Sequence, residues 1–496
     1  MVSVQRGAYN GGNFYITTTL PYVNADPHIG FAMEIVQADI IARYQRMLGR
    51  EVFFNTGTDE HGQKISDAAK EAGTLPQTYV DGYAEQFSIL KNKDRGLNVS
   101  WTNFIRTSSP EHKAAAQEFW RRCLDAGDIY KKKYQTKYCV GCELEKTDSE
   151  LEGGKCSIHP NLSIQLIDEE NYFFRFSKYQ DPLRALYESR MDFVVPDFRF
   201  NEIKSFVSRG LQDFSISRLK SKMSWGVPVP DDSEQVIYVW FDALVSYIST
   251  LGWPHDIDNF KKWWVETGGV VQFAGKDQIR MQAAMWQAML MSAQSASPEK
   301  ELIASKQIVI HGFITSGGQK MSKSLGNVIN PFDLVKEYGT DAVRYFLARE
   351  VSFFEDSDVT VERFKEAYNA NLANGLGNLV SRILKMRSNY HVDVVIEKSE
   401  PSEVYTNAFL DLDPKKAADF VWEEIGNLDR LIAEREPFKK IKTDEVAAKK
   451  DIAMMVVKLY EIGVLLTPFL PATSEKILSL VQENKAPETP LFPRKE

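Results

Sequence analysis

No apolar stretch of the chain approaches the roughly 20 residues that cross a bilayer, so a membrane-spanning helix is not expected. Cysteine is scarce, four in 496 residues, which argues against a disulfide framework. There is no internal repeat and no low-complexity tract, so solenoids and propellers are set aside. A Walker loop ending in Gly-Lys-Ser or Gly-Lys-Thr is missing as well. Basic residues are in deficit: 60 Lys and Arg against 68 Asp and Glu leave a net charge of −8. That excludes a surface cationic overall, but not a local basic patch for a folded RNA. The N-terminal "MVSVQRGAYNGGNFYITTTL" has one arginine and no apolar core followed by a small-residue cleavage site. Neither a signal nor a transit peptide is expected, and the expected compartment is the reducing cytoplasm.

What is present describes an ordinary globular chain, 43% hydrophobic and 26% charged, long enough for roughly two to four domains. The strand-like runs "NFYITTTL" and "EVFFNTG" flank a segment in which Ile29, Met33, Val36, Ile40, Tyr44 and Met47 form one apolar helix face. Strand, helix, strand at this spacing predicts an α/β fold with a doubly wound parallel sheet of Rossmann type. The pattern pauses after about residue 115 and resumes near residue 236, where "QVIYVWFDAL", "GVVQFAGKD" and "KQIVIHGFIT" supply three more strand-like runs. An insertion into the sheet fits that order. From about residue 330 long helical stretches without strands predict an α-helical bundle. The tail "ENKAPETPLFPRKE" is polar and proline-rich and is expected to be loosely held.

Three of the four cysteines fall within eighteen residues, as Cys139-x2-Cys142-x13-Cys156-x2-His159. Two knuckles, each with two ligands three residues apart, build a closed tetrahedral site for one structural Zn²⁺. The fourth, Cys123 in "EFWRRCLDAG", is expected to be a buried helix residue.

Two further stretches suit a polyphosphate. In "PHIG", His28 and Gly30 open the first helix, where unpaired N–H groups and the dipole favour an anion. The plain alternative is a helix cap with a surface histidine. In "GGQKMSKSLGNVINP", Lys320 and Lys323 lie on a glycine-rich loop between a strand and a helix start. Two lysines closing over a triphosphate would stabilise attack of a carboxylate on the α-phosphate and the departing pyrophosphate.

Together "TTTLPYVNADPHIG", "TGTDEHG", "YVWFDALVSYI", "GKD" and "GGQKMSKSLGNVINP" stand in the order of the methionyl-tRNA synthetase family of class I aminoacyl-tRNA synthetases. The chain resembles that family over about residues 13 to 470. The resemblance implies a ligase that activates L-methionine with ATP, in company with Mg²⁺, and esterifies it to tRNA(Met), the initiator included. His28, Lys320 and Lys323 would be catalytic, and Gly30, Phe31, Gly275 and Asp277 would complete the ATP site. Asp59 would accept the methionine ammonium group, and Leu20, Tyr22, Trp240, Ala243, Tyr247, Gln278 and Gln282 would line the pocket. Three of these differ from the residues common in the family: Phe31 stands for a histidine, and Gln278 and Gln282 for an isoleucine and a histidine. Phenylalanine can stack on adenine, and glutamine can donate a hydrogen bond as neutral imidazole does.

The resemblance also implies the division of the chain: a catalytic domain in two halves, 1–118 and 226–325, and a zinc-bearing connective insertion, 119–225. A stem-contact segment, 326–365, and a helical anticodon-binding domain, 366–496, would follow. An insertion of about 110 residues leaves no room for the large editing domain of related synthetases. Asn378 and Arg382, four apart on one helix face, and Phe438 match anticodon-reading positions, and an aromatic ring there stacks on an unpaired base. With no C-terminal barrel after the bundle, a monomer is expected. Two other functions fit parts of the pattern: another class I nucleotidyl-transferring enzyme, and a catalytically impaired paralogue that only binds RNA.

Overall fold

The computed structural model describes residues 12–146, 148–297, 299–321, 327–397 and 400–496. In chain order, the elements that matter for the site are β1 (Asn13–Thr17), α1 (Ile29–Met47), β2 (Glu51–Thr58), α2 (Gln63–Glu71), β3 (Asn103–Arg106) and β4 (Val194–Val195). Then come α3 (Val239–Ser249), β5 (Val271–Gly275), β6 (Gln307–His311), α4 (Asn378–Asn389) and α5 (Pro414–Arg435). The chain divides into two compact units, each discontinuous in sequence. One comprises the segment ending at Asp26 with Arg50–Ile89 and Trp101–Ile310; the other comprises Pro27–Gly49, Leu90–Ser100 and His311–Glu496.

The first unit is built on a six-stranded sheet of order β3-β2-β1-β5-β6-β4. The pairs β2–β3, β1–β2, β1–β5 and β4–β6 run parallel, with Asn55 opposite Asn103, Asn13 opposite Glu51, Ile16 opposite Val271 and Ile308 opposite Val194. All of β5 and the last four residues of β1 are buried, as in a sheet covered on both faces, where strands read as apolar runs. Behind it lies a core with Trp120, Trp253, Trp264 and Trp286. Cys123 is buried in it, on the helix Pro110–Asp125, as expected.

Two expectations change here. "QVIYVWFDAL" is not one strand of the parallel sheet. Asp232–Ile237 pairs antiparallel with Ser217–Leu219 and with Pro228–Val229, and α3 begins at Val239. A short apolar run does not distinguish a strand from the start of a buried helix. The sheet's edge strand β4 comes instead from within the segment read as an insertion. The rest of that segment is dominated by a long antiparallel pair, Ile129–Cys139 against Gln165–Phe174, and the cysteine knuckles lie in and at the mouth of its connection.

In the second unit, helices predominate after residue 330, as the bundle reading requires: Val361–Ala367, Tyr368–Gly377, α4, α5, Glu445–Leu465 and Pro471–Gln482. Helix α1 belongs to this unit and is buried on far more than one face. Glu34, Gln37 and Asp39 are buried alongside its apolar residues. Each of these side chains has a partner through at least one atom: Glu34 Oε2 is 2.8 Å from His311 Nε2, Gln37 Nε2 donates to the Leu347 carbonyl at 2.6 Å, and Asp39 pairs with Arg344 at 2.8 Å. The tail is also held more firmly than its composition suggests. Phe492 is buried against Tyr368, Tyr368 Oη donates to the Pro493 carbonyl at 2.8 Å, and Asn369 bonds both backbone groups of Lys495. No helix among the described residues is long and apolar enough to cross a membrane.

Candidate active site and metal centre

In open parallel sheets, ligands bind beyond the carboxyl ends of the strands where the strand order reverses. Here that point lies between β1 and β5. Leu20 and Tyr22 follow the end of β1, Asp59 follows β2, and Gly275 ends β5. Tyr22 and Asp59 form a parallel bridge, and the Asp59 N–H donates to the Pro21 carbonyl at 3.0 Å.

The turn "DEHG" is fastened residue by residue. Glu60 receives Arg106 through two hydrogen bonds of 2.7 and 2.9 Å. His61 Nδ1 is hydrogen-bonded to Asp242 Oδ2 at 2.7 Å, and the Gly62 N–H donates to the Trp225 carbonyl at 3.1 Å. Asp59 is 2% exposed, with Oδ1 lacking a hydrogen-bond partner among the described residues. Burial, with Asp242 and Glu143 acting on it, pushes its carboxyl well above the usual range. The Tyr22 hydroxyl and Trp240 Nε1 are likewise buried without partners, and their rings meet edge to face at 6.1 Å. Aromatic rings beside a buried carboxylate with an unpartnered oxygen match a cation on an apolar chain.

Trp240, Ala243 and Tyr247 recur on one face of α3, with Tyr247 buried against Trp286 at 5.9 Å and its carbonyl accepting from Tyr15 Oη at 2.7 Å. Gln282 is buried, and its Oε1 accepts from Gln272 Nε2 at 3.0 Å. Gln272 belongs to β5, and its own Oε1 accepts from Ser305, so the amide orientation of Gln282 is set from the sheet. Gln278 is half-buried and Asp277 exposed in the turn after β5.

The other nucleotide candidates belong to the second unit. His28 caps α1: its Nδ1 accepts from the Gly30 and Phe31 N–H groups at 3.1 and 3.4 Å. As an acceptor at Nδ1, neutral imidazole carries its proton on Nε2, the nitrogen directed away from the helix end. The cap reading and the phosphate reading are thus compatible. Gly30 is needed for a reason the sequence did not reveal: a Cβ there would lie 2.9 Å from His28 Cε1. Phe31 is buried in the first turn. Two described residues of the lysine segment meet this helix start: the Ile29 N–H donates to the Ile329 carbonyl at 3.0 Å, and Met321 Cε approaches Gly30. The backbone of Lys320 pairs with Thr315. Lys323 lies outside the described residues.

Cys139, Cys142, Cys156 and His159 offer ligand atoms that all lie within 4.8 Å of one another. Three thiols and one imidazole at these separations fit a tetrahedral structural Zn²⁺. In the helical region, Asn378 is exposed and opens α4, Arg382 pairs with Asp429 of α5 at 2.5 Å, and Phe438 is 40% exposed just beyond α5.

Sequence reasoning missed Asp242, Glu143 and Asp429. The first lies inside a motif already singled out, and the second directly follows Cys142, so both were in view. Their partners are remote in sequence.

Comparison with known proteins agrees with this geometry. The family model "tRNA synthetases class I (M)" matches residues 14–162 and 149–384. A methionine–tRNA ligase of Thermosynechococcus vestitus is 42% identical over 486 residues, covering 94% of this chain and 89% of the relative. That of Thermotoga maritima is 38% identical over 492 residues, covering 96% and 76%. The structure of Mycobacterium tuberculosis methionyl-tRNA synthetase in complex with methionyl-adenylate superposes with a TM-score of 0.87 at 33% identity, covering 97% of this chain and 100% of that one. The chain belongs to the methionyl-tRNA synthetase family.

Proposed function

We propose that the chain activates L-methionine with ATP, giving methionyl-adenylate and pyrophosphate, and then transfers the methionyl group to the 3′ end of tRNA(Met), initiator included. The observation that carries this reading is the buried Asp59 carboxylate, whose Oδ1 lacks a hydrogen-bond partner among the described residues, beside the Tyr22–Trp240 edge. A methionine ammonium group satisfies the carboxylate, and the thioether chain lies against the aromatic rings. Leu20, Ala243, Tyr247, Gln278 and Gln282 complete that pocket.

With the ammonium group anchored, the methionine carboxylate attacks the ATP α-phosphorus, and the bond to pyrophosphate breaks. His28 donates from Nε2 to a phosphate oxygen. Lys320 and Lys323 neutralise charge that grows on the triphosphate as it divides. Gly275 and Asp277 hold the ribose, and Phe31 borders the nucleotide. Mg²⁺ accompanying ATP supplies further charge neutralisation. The tRNA terminal hydroxyl then attacks the carbonyl carbon and releases AMP. Asn378, Arg382 and Phe438 read the anticodon.

In this reading residues 1–118 and 226–325 form the catalytic domain, 119–225 the connective insertion, 326–365 the stem contact and 366–496 the anticodon domain. The Zn²⁺ held by Cys139, Cys142, Cys156 and His159 has a full ligand set and orders the insertion. In the same reading the enzyme acts in the cytoplasm as a monomer.

The test is methionine-dependent exchange of labelled pyrophosphate into ATP by the zinc-replete chain. Exchange stimulated by methionine supports the reading, and its absence removes it.

A further inference from the structure

Glu143 has no role in the chemistry above, yet its placement is costly. It directly follows a metal ligand, its backbone takes φ 49°, and its side chain is fully buried. A left-handed φ and a buried carboxylate both cost free energy unless the surroundings reward them. The reward is at the start of α2. There the N-cap is Gly62, φ 109°, which has no side chain to cap the helix. Glu143 Oε1 accepts instead from the Lys64 N–H, the second of that helix, at 3.1 Å. A Cβ on Gly62 would lie 2.7 Å from Glu143 Oε2. The carboxylate therefore fills the volume of the missing cap side chain, delivered from the metal knuckle.

The turn it holds is the one that carries Asp59. Glu143 Oε2, like Asp59 Oδ1 and the Tyr22 hydroxyl, is buried without a hydrogen-bond partner among the described residues. We propose that Glu143 is a positioning residue for methionine, which couples the metal knuckle to the Asp59 turn and so sets the ammonium site. It acts through Gly62 and Lys64 and need not touch the substrate. The inference rests on the reading that this pocket takes methionine.

The experiment compares the zinc-loaded full-length chain with its Glu143→Ala and Glu143→Gln variants. It measures methionine KM, ATP KM and kcat in pyrophosphate exchange, and zinc per chain. Glu143→Ala is expected to raise methionine KM about tenfold, with ATP KM and kcat within about threefold and zinc retained. Glu143→Gln keeps an acceptor for the Lys64 N–H and is expected to recover most of the loss. An unchanged methionine KM in the alanine variant overturns the proposal. So does a parallel rise of both KM values with loss of zinc, which would mean that Glu143 merely holds the knuckle. A glutamine variant as impaired as the alanine one also overturns it. Should the alanine chain fail to fold, Glu143→Asp, one methylene shorter, is expected to show the same methionine-specific rise, and its absence counts against the proposal. A wild-type chain without methionine-dependent exchange would remove the functional reading itself, a distinct result.

Discussion

A buried carboxylate oxygen with no partner is unfavourable until a cation arrives, and Asp59 is held in that state by neighbours that are themselves acidic or fixed. Asp59→Asn is expected to raise methionine KM about a hundredfold, the equivalent of one charge-assisted hydrogen bond of ~3 kcal/mol. Steady-state exchange assays over methionine concentration check this. The same environment gives a pH dependence of definite sign. Burial first, then Asp242 and Glu143, raise the Asp59 pKa in the empty pocket, whereas an ammonium partner favours the ionised form. Methionine affinity should therefore fall as pH falls, because binding must first displace the Asp59 proton. The variant Asp59→Asn should lose that slope.

At the scale of elements, α1 shows what pattern reading can and cannot supply. Its period was plain from Ile29, Met33, Val36 and Ile40, and its N-terminal histidine was identified correctly as a feature of the helix start. Its burial on the polar side was not legible, because each polar residue there is matched by a residue some 60 to 310 positions away, such as Ser100 or Leu347. The buried pair Asp39–Arg344 is the extreme case, both side chains at 0% exposure. Arg344 also donates to the carbonyls of Leu97, Pro468 and Phe469, joining three remote segments of the second unit. Burial works against the Asp39 charge, but Arg43 and Arg344 outweigh it and hold the carboxyl below the usual range. Asp39→Ala should leave Arg344 uncompensated and cost about 3–5 kcal/mol of stability, measured by urea unfolding. The knuckle contrasts with this: ligand spacing alone revealed it, because a metal needs its donors in local pairs.

At the scale of the molecule, the sequence order of motifs gave the family, while the division into compact units came only from the fold. Residues 27–49 and 90–100 belong with the C-terminal part of the chain, so the first helix and the lysine loop share one unit. Periodicity reports what is buried, not against what, and so cannot reveal such an exchange. The helical region is proposed to act on RNA alone. Phe438→Ala should lower tRNA charging about tenfold, as stacking of one base is worth ~1–3 kcal/mol, while pyrophosphate exchange stays unchanged. Parallel assays of both activities check it, and a joint loss would contradict separate roles. The proposed methionine site lies in the first unit, with Asp59 beside the Tyr22 and Trp240 rings. A crystal structure of the chain soaked in methionine tests it most directly. The account predicts the methionine nitrogen within hydrogen-bond reach of the Asp59 carboxylate, about 2.7–3.2 Å, with the thioether against Tyr22 and Trp240. Methionine bound away from Asp59, with that carboxylate still lacking a cation, would contradict it.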